Sequence, residues 1–185
     1  IVPLDHERRW YRYHHLFVFL LRQRLGQSLS PGEIKALHIR ASEWYEQHGL
    51  MPDALHHALE AEAFERAARL AEDLWPSMDR TFQTAAWLGW VKKIPQAVVS
   101  VRPTLCVLIG RTYAGVGDLD SSEAYLKNAE HALAGSTIQE ESKHLPGTIA
   151  LARARTAQNQ GSLAETVKYA ELAIQLTPKE DTHLL

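Results

Sequence analysis

The chain has 185 residues, 45% of them hydrophobic, and its 20 basic and 22 acidic side chains leave a net charge of −2. That much apolar material can build a core and excludes a disordered tail, while the absence of a long apolar run excludes a membrane span. Ala and Leu supply 49 residues against 17 from Ile and Val, a bias toward helix formers that predicts a mostly helical protein. The single cysteine, Cys106, can form neither an internal disulfide nor a multi-cysteine zinc site, which fits a reducing cytoplasm. An opening of Ile1-Val2-Pro3-Leu4 and a close at Leu184-Leu185 read as a segment of a longer chain.

Residues 1 to 26 carry a net charge of +3, against −5 for the remainder. Here Ile1 to Leu4 and Trp10 to Tyr13 flank the polar turn Asp5-His6-Glu7-Arg8, the pattern of a small β-hairpin. Leu16, Phe17, Leu20, Leu21 and Leu25 then recur at helical spacing, predicting an amphipathic helix ended by Gly26. Ser30-Pro31-Gly32-Glu33 has the residues of a capping box and starts a helix expected to reach His48, where Gly49 can leave it. A short helix from Pro52 and another with the apolar stripe Phe64, Ala67, Leu70, Ala71 and Leu74 are expected to form an antiparallel hairpin. Further helices are predicted from about Arg80 to Lys93, Pro103 to Val116, Asp120 to Leu133, Leu145 to Gln160 and Leu163 to Leu176. Val98, Val99, Val101 and Val107 make residues 97 to 109 the stretch with most strand character.

Arg111-Thr112, Gly117, Leu119, Tyr125 and Ala129 recur 44 residues later as Arg155-Thr156, Gly161, Leu163, Tyr169 and Ala173. Two helical hairpins of one type are implied, each with a Gly closing its first helix, a Leu plugging the turn and an Ala allowing close packing. The spacing from Asn159 to Pro178 is that of a tetratricopeptide unit, and the 44-residue repeat makes it a lengthened relative of the usual period of about 34 residues. The expected fold is therefore all-α: a right-handed superhelix of antiparallel helical hairpins over residues 30–185, preceded at 1–29 by a small β-hairpin and helix.

Local catalytic motifs are missing. No Gly-rich loop is followed by Lys and Ser or Thr, and Gly115-Val116-Gly117 sits in a helical turn with no strand before it. There is no His-Glu-x-x-His, Cys pair or Gly-x-Ser-x-Gly, so the segment is expected not to be an enzyme by itself. His56, His57 and Glu60 could share a helix face but do not close a metal site without partners elsewhere, and no metal is expected. Trp87 and Trp90, followed by Lys92 and Lys93, could offer rings and charges to a ligand, but helix packing with a C-terminal turn suited to lysines is the simpler account. Arg111 and Arg155, at equivalent register on the first helices of two hairpins, could present a row of guanidinium groups to an anionic or hydroxyl-rich effector or partner.

Val2-Pro3-Leu4-Asp5 and the run Arg9 to Phe17 resemble the signature at the end of the ATPase module in MalT-type regulators, the large ATP-binding members of the LuxR transcription-factor group. The resemblance continues through Arg40 to Tyr45, His57-Ala58-Leu59, Phe64 to Leu70, Leu88-Gly89-Trp90 and Arg102 to Leu105. It implies that the first residues are the end of a winged-helix domain and that the repeats begin a sensor for a small-molecule inducer or regulatory protein. It further implies a cytoplasmic parent that binds ATP or ADP, contacts DNA only through a domain outside this segment, and is able to self-associate. The segment itself would hold no cofactor and touch no membrane. Tyr13-His14-His15-Leu16 is similar to the Met-His-Asp type element of signal-transduction ATPases, which makes His14 the candidate contact to a nucleotide phosphate. The repeat pattern without the resemblance supports a different function, a general tetratricopeptide-like scaffold that holds a peptide or protein.

Overall fold

The computed structural model describes residues 2–3, 11–12, 15–135 and 143–177. Its element order is β1 (Val2–Pro3), β2 (Tyr11–Arg12), α1 (His15–Ser28), α2 (Pro31–Gln47), α3 (Met51–Glu60), α4 (Phe64–Arg80), α5 (Thr84–Val91), α6 (Gln96–Val99), α7 (Pro103–Gly115), α8 (Leu119–Gly135), α9 (Leu145–Asn159) and α10 (Leu163–Leu176). The described chain is thus helical apart from one antiparallel ladder pairing Val2 with Arg12 and Pro3 with Tyr11. The turn expected at Asp5 to Arg8 lies outside the described residues, as does His14. Two compact units, 1–63 and 64–185, divide the chain.

In the first unit, α1 runs through Gly26 rather than ending there. A mid-helix glycine costs only about 1 kcal/mol, and the residues that do adopt positive φ as helix-terminating glycines are Gly49, Gly117 and Gly161. The apolar stripe of α1 is open: Leu16, Phe19 and Leu20 are exposed. The start of α2 follows the expected capping box, with Ser30 Oγ accepting from Glu33 N–H at 3.3 Å and Glu33 Oε2 accepting from Ser30 N–H at 2.8 Å. Within this unit the hairpin partner of α3 is α2. Between them the buried Ser42 hydroxyl donates to the Ala54 carbonyl at 2.8 Å, and Leu55 and Ala58 of α3 are fully buried.

In the second unit, Ala67, Leu70, Ala71, Leu74, Trp75 and Met78 form one buried face of α4. This helix continues to Arg80 through Pro76, although that residue has no N–H for the carbonyl one turn back. The next helix accordingly starts at Thr84, not near Arg80. Its Trp87 is fully buried and donates to the Ala71 carbonyl at 2.8 Å, so it is a packing residue unable to offer its face to a ligand. The valine-rich stretch 97–109 is helical, forming α6 and the start of α7.

Helices α7 with α8, and α9 with α10, form the two hairpins implied by the internal repeat. Gly117 and Gly161 have φ of 83° and 74°, the left-handed conformation that ends the first helix of each. Ala129 and Ala173 are buried at the helix contacts. The repeat is imperfect at its plug: Leu119 is half-buried, whereas Leu163 is 78% exposed and fills no turn. Two arginines tie the second unit together. Arg102 forms a two-pronged pair with Glu72, at 2.6 and 3.2 Å, and Arg153 of α9 contacts Glu123 at 2.9 and 3.0 Å and Glu130 at 2.7 Å, both on α8.

Candidate functional site

Helix periodicity in α4, α7 and α9 aims a set of polar side chains into one cavity of about 250 Å³ in the second unit. Trp75 and Asp79 are four residues apart on α4 and therefore share a face. On α9, Thr148, Leu151, Ala152, Arg155 and Asn159 follow the spacing of a single stripe. Helix α7 contributes Arg111, with Thr112 beside it. The equivalent register of Arg111 and Arg155 thus brings both to the wall of the same cavity.

Trp75 anchors the site. Its indole Nε1 donates to Thr112 Oγ1 at 3.1 Å, and that hydroxyl donates to the Leu108 carbonyl at 2.9 Å. Buried indoles usually find such a partner. Above the fixed ring, the Arg111 guanidinium carbon lies 4.3 Å from the centroid, a cation–π geometry. Arg111 also faces Asp79, but the closest approach is 3.9 Å, beyond hydrogen-bond distance. Burial is the largest influence on Arg111 and pulls its pKa below the ordinary value; the Asp79 carboxylate opposes this, and the Arg155 charge adds to it.

Neither Arg111 nor Arg155 makes a hydrogen bond to another described residue, and Arg155 has no carboxylate partner among them. Arg153, two residues from Arg155, spends its donors on Glu123 and Glu130, which raises its pKa. The contrast separates an arginine used for helix packing from two that carry open donors.

The other candidates have structural accounts. Among the described residues no cluster of His, Cys, Asp and Glu could hold a metal; His57 instead meets His38, with 2.8 Å between their Nδ1 atoms, and stacks on Tyr45. Cys106 is buried, with its thiol directed at the Val99 carbonyl at 3.2 Å, and burial pushes its pKa up to about 11, so it is not a thiolate nucleophile. Among the described residues no helix is long and apolar enough to cross a membrane. Sequence reading missed Trp75, Asp79 and Asn159 as members of the cavity. The four-residue spacing of Trp75 and Asp79 was the available signal, but it cannot tell which helix that face meets.

Comparison with known proteins places this geometry in a family context. Residues 1–33 match the family model of the MalT winged helix domain. The chain is 29% identical over 133 residues to the serine/threonine-protein kinase PknK of Mycobacterium tuberculosis (strain ATCC 25618 / H37Rv), a match covering 68% of this chain and 12% of the kinase. It is 27% identical over 176 residues to the HTH-type transcriptional regulator MalT of Cronobacter sakazakii, covering 95% of this chain and 19% of the regulator. The chain therefore spans less than a fifth of the length of these relatives. No solved structure matches it. The winged-helix match at the start and the similarity to a MalT regulator along nearly the whole length support a MalT-type segment.

Proposed function

We propose that the chain is the effector- or partner-sensing helical segment of an ATP-dependent LuxR/MalT-type transcriptional activator. The observation that carries this reading is the similarity to a MalT regulator over 95% of the chain; the cavity joining Arg111 and Arg155 supplies a place for a small-molecule inducer or a regulatory protein to act. In this reading residues 1–29 end a winged-helix domain with a small β-hairpin, and the later hairpins begin a right-handed superhelix. The parent is cytoplasmic and binds ATP or ADP, reaching DNA through a separate domain. The segment alone is neither an enzyme nor a cofactor carrier.

His14, by its resemblance to the histidine of signal-transduction ATPases, donates to a nucleotide phosphate and favours the ADP-bound resting state. His14→Ala in the intact regulator is expected to raise transcription without inducer, because losing a contact made only in the resting state shifts the population toward the active one. The general test compares the intact protein with the 185-residue segment. ATP and promoter DNA should bind the former and not the latter, and nucleotide binding by the segment alone would overturn the assignment.

Similarity to a protein kinase over 133 residues favours a second reading, in which the helical hairpins are a general tetratricopeptide-like interaction scaffold attached to different output domains. A parent without any promoter binding, together with capture of a defined peptide by the segment, would favour this alternative.

A further inference from the structure

The charges around the cavity define its ligand more narrowly than the repeat pattern does. Arg111 and Arg155 bring two positive charges, and Asp79 is the acidic group among the described lining residues. The balance is one unmatched positive charge. Each guanidinium has five N–H donors in a fixed planar fork, and neither arginine has spent one on a described residue. Arg111 is held over the Trp75 ring, 4.3 Å from its centroid, so it loses less further freedom when an acceptor arrives. Leu151, Ala152 and Ala114 provide an apolar wall, and Thr148 and Asn159 provide hydroxyl and amide groups at the margin.

We propose that this cavity binds a small organic monoanion, whose carboxylate bridges Arg111 and Arg155 while a compact apolar body lies against Leu151 and Ala152. A neutral hydroxyl-rich molecule would leave both guanidinium groups without an anionic acceptor. A dianion such as a phosphate monoester would exceed the single unmatched charge and place its surplus beside Asp79. A carboxylate matches the charge and the planar geometry of the fork. The use of that ligand as a regulatory signal rests on the sensor reading above; the binding itself does not.

The probe is benzoate, with its neutral isostere benzamide and inorganic phosphate at pH 8 as controls, titrated into the full chain and followed by backbone amide NMR. Benzoate should move resonances of α7 and α9 saturably, with a dissociation constant on the order of 1 mM, near −4 kcal/mol, and more weakly at higher salt. Benzamide should give no saturable shift, and phosphate should bind less tightly than benzoate. Arg155→Gln should weaken benzoate at least tenfold while the helical circular dichroism is unchanged; Arg155 is exposed, so its replacement does not open the core. Equal binding of benzoate and benzamide, tighter binding of phosphate, undiminished binding to R155Q or no saturable benzoate binding would each overturn the proposal. Arg155→Gln in the intact regulator tests the sensor reading separately: an unchanged inducer response there, with benzoate binding intact in the wild-type chain, removes the regulatory role and leaves the site.

Discussion

Arg111 rests on Trp75, its guanidinium carbon 4.3 Å from the ring centroid, and the same indole is fixed from its other end by Thr112. One aromatic residue therefore links helix packing between α4 and α7 to the orientation of a cavity arginine. Trp75→Phe keeps an aromatic face but removes the Nε1–H donor and part of the buried volume, and should lower stability by about 1–2 kcal/mol. Trp75→Ala should cost roughly 3–5 kcal/mol through the lost volume. Urea denaturation of the two variants checks the order; a Phe variant as costly as the Ala variant would contradict this division.

Gly117 and Gly161 end equivalent helices at φ of 83° and 74°, and a Cβ at either position would meet no atom within 4 Å. Alanine should therefore cost only the left-handed backbone penalty, about 1–2 kcal/mol at each site. Asparagine should cost less, because it tolerates that conformation better than alanine. Thermal denaturation of the alanine and asparagine variants distinguishes this from a packing role, in which the larger asparagine would be the worse substitution.

The first unit should lose stability in mild acid. His57 is held below its ordinary pKa of 6.5, first by burial and then by His38 and His56, with Asp53 and Glu60 opposing. Because the unfolded chain takes up this proton more readily than the folded one, the stability present above pH 6.5 declines as pH falls below that value. His57→Gln should flatten the dependence of the urea midpoint between about pH 6.5 and 5. An unchanged pH profile in that variant would remove His57 as the cause.

Arg153 joins α9 to α8 through Glu123 and Glu130, and its own side chain is only 17% exposed. Arg153→Met keeps much of the apolar stem but takes the guanidinium from both carboxylates, leaving Glu123 only Lys127 at 3.9 Å. A loss of about 1–3 kcal/mol is expected, reduced at high salt where the exposed carboxylates are screened. Denaturation at low and high salt is the check, and a loss independent of salt would point to packing alone.

Much of the helical framework was legible because its signals are local. The capping box at Ser30 and Glu33 and the left-handed glycines at 117 and 161 depend on neighbours within a few residues. What was not legible depends on tertiary contact. Pro76 does not break α4, since the buried face from Ala67 to Met78 holds the helix on both sides of it. For Trp87 the sequence favours packing but leaves a ligand platform open until Ala71 is found across from it. The same holds for Leu163, where the repeat pattern carries over but the burial does not. Arg111 and Arg155 could be paired by register, whereas Trp75 and Asp79 enter the cavity only once α4 is placed against α7.

The measurement that reaches the central claim most directly is the inducer response of the intact regulator carrying Arg111→Ala and Arg155→Ala together, read from its promoter, with circular dichroism of the same variant. The account predicts an unchanged helical signal and a transcriptional response reduced at least tenfold at a fixed inducer concentration, on the order of 1.4 kcal/mol of lost coupling. A full response from a correctly folded double variant would contradict it and place effector recognition outside this cavity.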